Sequence, residues 1–375
     1  MTEPVNGGAG RPGGSGEAPA GSAPAGRRIG LSHGDGGLAT RRLVEEVFLS
    51  RFRHPALHAL GDSAVLDWEA SRGGRLAFTT DAFVVEPAFF PGGDIGRLAV
   101  CGTVNDLAVA GASPWLISAA FVLEEGLPVS ELESIADSMA SAAEEAGVSL
   151  VAGDTKVVQH GRGDGCYITT GGVGVIPPGL ELGPHLIRPG DLILINGGLG
   201  EHGLAVLSRR PGLAFDTPVK SDCAPLNGLI RALLQASRVR FMRDPTRGGV
   251  ATVLLEAAAA SGLPLLLEEE ALPVSPAVRA GVEVLGLDPL YLANEGKVVA
   301  VVPASEADAA LSALRGHPLG REACVIGRVL EAGEAPDGIS RGARGRTGGV
   351  LLLRTALGPV RRLSAFSGEP LPRIC

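Results

Sequence analysis

Residues 75–123 read RLAFTTDAFVVEPAFFPGGDIGRLAVCGTVNDLAVAGASPWLISAAFVL, and the elements they encode decide the fold class. Residues 75–80 read as a strand, 96–110 as a helix and 116–123 as a strand again, the alternation of an α/β layer. Working outward, residues 64–66 place a short strand before this unit. Residues 129–146 place a second helix after it, and 149–152 and 167–175 complete one sheet. The pair Pro177-Pro178 and the turn Arg188-Pro189-Gly190-Asp191 then mark a boundary.

A second alternating stretch opens with a strand at 192–195 and runs to about residue 330. It holds a helix through Leu204, another at 226–236, an alanine-rich helix at 249–261, and strands at 265–267, 298–302 and 325–329. Residues 331–348 are polar and rich in Gly and Arg, the composition of a mobile loop. Residues 350–354 and 360–363 read as a last hairpin. At the other end, residues 1–28 are Gly, Ala, Pro and Ser with few large apolar side chains, so a disordered tail is expected. Leu43, Val44, Val47 and Phe48 follow at helical spacing. The expected architecture is α/β (α+β) in two domains, 29–176 and 188–330, followed by a loop, hairpin and flexible C-terminal tail over 331–375.

That tail ends on Cys375, behind Pro370, Leu371, Pro372, Arg373 and Ile374. Two prolines bias the segment toward extended backbone, so a semi-rigid arm tipped by a thiol is expected. The cysteine is the last residue rather than fourth from the end, so it is not a prenylation box. Alone it reads more readily as an incidental terminus.

The 375-residue chain is 45% hydrophobic and 20% charged, which suits a soluble protein of two domains. Its net charge of −8 argues against a nucleic-acid partner, which asks for a basic face. An acidic protein that handles phosphates must hold them with magnesium or glycine nests. Cys101, Cys166, Cys223, Cys324 and Cys375 are widely spaced and contain no Cys-x-x-Cys pair, which argues against zinc and against a disulfide framework. No apolar run reaches membrane-spanning length and no signal-peptide core is present, so a cytoplasmic protein without a membrane partner is expected.

Four segments carry candidate chemistry. The loop Ser32-His33-Gly34-Asp35-Gly36-Gly37 exposes consecutive backbone N–H groups before a helix, which suits either a phosphate chain or a plain connector. Asp62, Asp81, Asp106, Asp154 and Asp244 stand beside small residues near strand ends. Singly each reads as a cap or turn residue; five together point to a metal–phosphate site. Gly153-Asp154-Thr155-Lys156 follows the apolar run 150–152, so Lys156 is placed to reach an anionic oxygen, with a solvated surface lysine as the plainer reading. Asn294-Glu295-Gly296-Lys297 offers a carboxylate as base, or a polar turn. A fifth match, Gly198-Leu199-Gly200-Glu201-His202-Gly203, fits G-x-G-x-x-G. It sits mid-chain, and Asp216 and Asp222, the candidates for the acidic partner, do not end clear strands. No Walker A loop is present.

TTDAFVVEPAFFPGGDIGRLAVCGTVNDLAVAGA at 79–112, VAGDTKVV at 151–158, FMRDPTRGG at 241–249 and the terminal LPRIC together resemble the HypE family of hydrogenase maturation factors. That family belongs with the aminoimidazole ribonucleotide synthetases and selenophosphate synthetases, the PurM-like fold, and the likeness spans residues 29–375. The resemblance implies homodimers whose N-terminal domains pair into a β-barrel, with ATP bound between domains. It implies a carbamoyltransferase partner, HypF, that loads the terminal cysteine, and ATP-dependent dehydration of that carbamoyl group to a thiocyanate. Cyanide would then pass to iron on a HypC–HypD complex, for the Fe(CN)2CO centre of nickel–iron hydrogenase.

Carried over residue by residue, the resemblance implies Cys375 as carrier, Lys156 at the transferring phosphoryl and Glu295 as base, with His33 behind it. Gly34, Gly36, Gly37, Asp81, Asn105, Gly153, Asp154 and Thr155 would line the phosphates. Thr246 and Arg247 would touch phosphate or the tail, and Asp62, Asp106 and Asp244 would hold Mg2+. Asp35 stands where the family tends to a small apolar residue, and Glu256 is not expected to be a ligand. The same superfamily offers a second expectation, a phosphotransferase acting on a free small molecule.

Overall fold

The computed structural model describes residues 37–43, 45, 64–67, 74–213, 215–331, 334, 349–365 and 373–375. The tail 1–28, His33, Gly34, Asp35, Gly36, Asp62 and most of the loop 331–348 lie outside the described residues. Of the first predicted helix, the stretch Leu38–Leu43 is described, preceded by Gly37.

The first half builds a five-stranded sheet from β1 (Ala64–Asp67), β2 (Arg75–Phe83), β5 (Ser113–Glu124), β6 (Ser149–Val158) and β7 (Cys166–Ile176), in the order β1-β2-β7-β5-β6. The short pair β3 (Phe89–Phe90) and β4 (Gly93–Asp94) precedes a helix, Ile95–Val109. Asp94 caps that helix, its Oδ1 accepting from the Gly96 and Arg97 amides at 2.7 and 3.1 Å. The helix is buried on nearly every side because it lies on β2 and β7, beside the Val129–Ala146 helix, and against the second half of the chain. Its approach to the sheet depends on Gly172, where a Cβ would sit 2.6 Å from Thr103 Cγ2.

β2 alternates as a sheet with one covered face should: Ala77, Thr79 and Phe83 are buried, while Phe78 and Thr80 point out. On that outer side and along edge strand β6, Phe78, Trp115, Leu150, Val151 and Val157 are exposed. Among the described residues the sheet is open and does not close into a barrel. β6 differs from expectation. It runs to Val158, so the Gly-Asp-Thr-Lys segment lies inside the strand, with Gly153 opposite Ala119 and Lys156 opposite Val122 of the parallel β5. A long neighbouring strand supplies backbone partners throughout, and pairing overrides the poor strand preference of Gly and Asp.

The second half builds a seven-stranded sheet in the order β14-β13-β10-β12-β8-β11-β9, from β8 (Leu192–Ile195), β9 (Phe241–Arg243), β10 (Leu265–Glu268), β11 (Val299–Val302), β12 (Cys324–Val329), β13 (Leu351–Arg354) and β14 (Val360–Leu363). All four residues of β11 are buried, which explains an unbroken apolar run without alternation. β9 and the helices Pro276–Leu285 and Ala307–Arg315 were not anticipated. The first of these helices does carry a start signal, Ser275 capping Val278 with Pro276 following. Among the described residues no helix is long and apolar enough to cross a membrane.

Candidate active site

Two motifs far apart in sequence are joined by sheet pairing. β9 lies antiparallel to β11, with Arg243 opposite Val299, which sets residues 244–249 beside 294–298. The Asn294 amide donates to Pro245 O at 3.1 Å, its Nδ2 donates to the same oxygen at 3.0 Å, and its Oδ1 accepts from Gly200 N at 2.8 Å. Gly248 and Gly249 are both left-handed, with φ of 76° and 62°. A Cβ on Gly249 would meet Leu290 O at 2.4 Å, so glycine alone lets the chain turn there and present Thr246 and Arg247 at the start of the Gly249–Ser261 helix.

The Glu295 backbone is held from two sides. Asp222 accepts from the Glu295 and Gly296 amides at 3.1 and 3.2 Å, and Asn105 Nδ2 donates to Glu295 O at 3.2 Å. Asn105 also donates to Ala224 O and accepts from Leu226 N, so the structure spends its amide on backbone groups, at 1% exposure, where phosphate contact was expected. Lys297 is buried between Asp222 at 3.0 Å and Glu201 at 3.1 Å. Burial disfavours both charges, yet Lys297, with the Glu295 amide donating, holds Asp222 below the usual carboxylate range, and Asp222 and Glu201 hold Lys297 above the usual ammonium value.

The C-terminal tip is seated in the molecule. Ile374 is 4% exposed and joins the apolar cluster built on the Ile95–Val109 helix, and Cys375 packs against that cluster. Glu86 N donates to Arg373 O at 3.1 Å, Val84 N to Cys375 O at 3.4 Å, and Arg210 Nη2 to Arg373 O at 2.9 Å. His202 Nε2 meets Ile374 O at 2.7 Å. The Arg373 guanidinium lies between Glu86 at 3.1 Å and Asp164 at 2.9 Å. The arm expected to swing free is thus anchored at its last three residues.

Seating brings the terminal thiol into a charged cluster. Burial pushes the Cys375 thiol far above its usual range; Arg247 opposes the shift, and Glu295, Asp81 and Asp244 reinforce it. Arg247, exposed to solvent, has its charged form favoured first by Cys375, with Asp81, Glu295 and Asp106 adding to it. Glu295 is 2% exposed, and burial together with Asp244, Asp222 and Asp81 raises its pKa well above the carboxylate range. Its Oε1 has no hydrogen-bond partner among the described residues. Asp106 accepts from Thr79 Oγ1 at 2.8 Å, and Asp81 accepts from Ala82 N at 2.7 Å. Burial and three neighbouring carboxylates thus give Glu295 a high proton affinity, within electrostatic reach of the Cys375 thiol and the Arg247 guanidinium.

Of the residues singled out from sequence, Cys375, Glu295, Arg247, Asp81, Asp106 and Asp244 lie within electrostatic reach of one another, and Thr246 precedes Arg247. Gly153 and Lys156 are exposed on edge strand β6, which also carries Asp154 and Thr155. Gly37 is described; its loop companions are not. The G-x-G-x-x-G stretch does not form a nucleotide cradle: Glu201 pairs with Lys297, His202 faces the tail, and Leu199 N bonds Pro273 O. Among the described residues no group of three His, Cys, Asp or Glu side chains converges to hold a metal. Sequence reasoning missed Arg210, Glu86 and Asp164, and weighed His202 and Asp222 only as parts of a dinucleotide motif. Only His202 carried a signal, as the one bulky aromatic side chain inside a glycine motif.

Residues 60–176 match the AIR synthase related protein N-terminal domain, and 188–336 match its C-terminal domain. The chain is 50% identical over 349 residues to carbamoyl dehydratase HypE of Cupriavidus necator, covering 93% of this chain and 95% of that protein. It is similar to the HypE chain of a HypE–HypF complex structure (45% identity, TM-score 0.76, 86% and 99% of the two chains). It is also similar to HypE solved with ATP (46% identity, TM-score 0.74, 92% and 99%).

Proposed function

Because the chain belongs to the HypE family of AIR synthase related proteins, we propose that it is a carbamoyl dehydratase acting on its own C-terminal cysteine. In the proposed reaction the S-carboxamide on Cys375 loses water to become a thiocyanate, with ATP converted to ADP and phosphate, in the cytoplasm. The seated tail carries this reading: its last three residues are held by the backbone at 84 and 86, by Arg210 and by His202, which keeps the Cys375 thiol within electrostatic reach of Arg247 and Glu295.

ATP supplies the phosphoryl group that turns the amide oxygen into a leaving group, with Mg2+ neutralising charge. We assign Mg2+ to Asp106 and Asp244, with Asp62 outside the described residues; two carboxylates would leave the rest of its shell to phosphate and water, as magnesium asks. Arg247 offsets negative charge next to the thiol and, with Thr246, meets phosphate or tail. Glu295 takes the N–H proton as the C≡N bond forms, and its raised proton affinity suits a base working on a weak acid. Asp81 borders the phosphates, as would the loop holding Gly34, Gly36 and Gly37 and the segment Gly153, Asp154 and Thr155. Lys156 is assigned to the transferring phosphoryl; from an exposed edge strand it would reach that group across a homodimer. The apolar outer face with Phe78, Trp115 and Val157 supports such pairing into a barrel.

Loading requires the tail to leave its seat, because a thiol with a raised pKa offers little thiolate to a carbamoyl donor. HypF would load the extended tail, and a HypC–HypD scaffold would take the cyanide from it, for the iron centre of nickel–iron hydrogenase. The test is the mass of the C-terminal peptide after incubation with ATP, Mg2+, carbamoyl phosphate and the matching carbamoyltransferase. A carbamoyl increment less one water, dependent on ATP and absent in Lys156→Ala and Glu295→Gln, supports the reading. An increment that keeps its water in the wild type would leave only a carbamoyl carrier. No increment, with the transferase active on another acceptor, would overturn the assignment in favour of a phosphotransferase.

A further inference from the structure

The tail's seat includes a hydrogen-bonded relay whose protons can be placed from valence alone. His202 is fully buried, its ring edge set against Phe90 at 5.3 Å and 89°. Its Nε2 lies 2.7 Å from the carbonyl oxygen of Ile374, which can only accept, so Nε2 carries the proton. A neutral imidazole then has a lone pair on Nδ1, which lies 2.8 Å from Ser221 Oγ, so the serine hydroxyl donates there. Ser221 Oγ in turn accepts from Cys223 N at 3.1 Å, and Ser221 N donates to Pro91 O at 2.7 Å. Burial lowers the imidazole pKa, consistent with the neutral ring.

The relay ends on the peptide carbonyl immediately before Cys375, and Arg210 captures the carbonyl one residue earlier at 2.9 Å. Arg373 adopts a left-handed backbone (φ 56°), a costly conformation for an L residue, and it turns these successive carbonyls toward their donors. A core position with no such task would take an apolar side chain; here both ring nitrogens are committed, one to the tail and one to the residue that sets the tautomer.

We propose that His202, fixed in its Nε2–H tautomer by Ser221, is a positioning residue that registers the tail so that Cys375 meets Arg247 and Glu295. It acts on the seated, dehydrating state and not on loading of the carbamoyl group, which occurs with the tail extended. The dehydration part of this inference rests on the function proposed above.

The test uses the full chain with His202→Phe, Ser221→Ala and His202→Gln, the last retaining an N–H donor. Three quantities are read on the C-terminal peptide: maleimide alkylation rate of unmodified Cys375, extent of carbamoyl loading, and rate of water loss in a single turnover with ATP. Loss of one buried neutral hydrogen bond predicts about tenfold faster alkylation and about tenfold slower water loss in His202→Phe, with loading unchanged. Ser221→Ala should move both rates the same way by about two- to fivefold, and His202→Gln should recover most of the effect. Wild-type alkylation rates in both His202→Phe and Ser221→Ala would overturn the proposal. So would a loading defect as large as the loss of dehydration. If His202→Phe does not fold, Ser221→Ala decides. Alkylation does not depend on catalysis, so a wild type that never loses water would sink the dehydratase reading while the alkylation ratios still judged the relay.

Discussion

Asp222→Asn should cost far more than a surface substitution. The Asp222 carboxylate is 2% exposed, pairs with Lys297 at 3.0 Å, and accepts from the amides of Glu295 and Gly296. Asparagine keeps the shape and one acceptor but leaves the Lys297 ammonium, itself 9% exposed, with Glu201 alone. Breaking a buried pair by removing one partner costs about 3–5 kcal/mol. Glu201 remains and touches solvent at 30% exposure, so the lower end applies, about 3 kcal/mol, out of a total stability of about 5–15 kcal/mol. Urea unfolding followed by far-UV circular dichroism at pH 7 reads this as a lower midpoint. Asp222→Asn with Lys297→Met should recover more than half, because the orphaned charge is then gone. The sign with pH follows from a depressed folded-state pKa: the Asp222 contribution is present above its unfolded value, ordinarily 3.8, and is lost as pH falls through the folded value. The gap between wild type and variant should therefore persist from pH 7 to pH 5 and close only in stronger acid. A loss below about 1 kcal/mol at pH 7, or a double variant no better than the single, would refute the argument.

Glu295→Gln should abolish water loss while raising thermal stability of the ligand-free protein. The raised pKa of Glu295 means its stabilising contribution is full below the unfolded value, ordinarily 4.5, and declines as pH rises through the folded value, so the Tm gain over wild type should grow with pH. A Tm difference flat from pH 5 to pH 8 would contradict the shift. On the outer sheet face, Phe78→Asp or Val157→Asp should convert a dimer to monomer by light scattering, with the circular dichroism spectrum kept; an unchanged mass would place any dimer contact elsewhere. Gly249→Ala meets both a left-handed φ and a backbone oxygen 2.4 Å away. It should lose at least about 1–2 kcal/mol and slow dehydration by displacing Arg247, measurable by urea midpoint and by peptide mass together.

Residues 75–123 were legible as strand, helix and strand because each run has one period and clear breakers. The same holds for the apolar runs that became β8 and β11. What escaped were elements whose signals are weak locally. β9 spans only Phe241–Arg243 and exists because β11 offers it a partner. The 153–156 segment looked like a loop from its Gly, Asp and Thr, yet β5 draws it into a strand. At the site, Asn105 was legible as important by its setting, while its task, holding backbone carbonyls at 224 and 295, depends on contacts 119 and 190 residues distant.

The sequence by itself determined the two alternating halves, the glycines that let residues 244–249 turn, and the terminal cysteine. Those are local matters of period, backbone freedom and chain order. Only the tertiary structure decided that the tail is seated, that His202 and Arg210 hold its carbonyls, and that Glu295 is raised while Asp222, which accepts from the Glu295 amide, is lowered. Hydrogen-bond partners, burial and the charges around a titrating group are set by residues remote in sequence, and no local pattern along the chain encodes them.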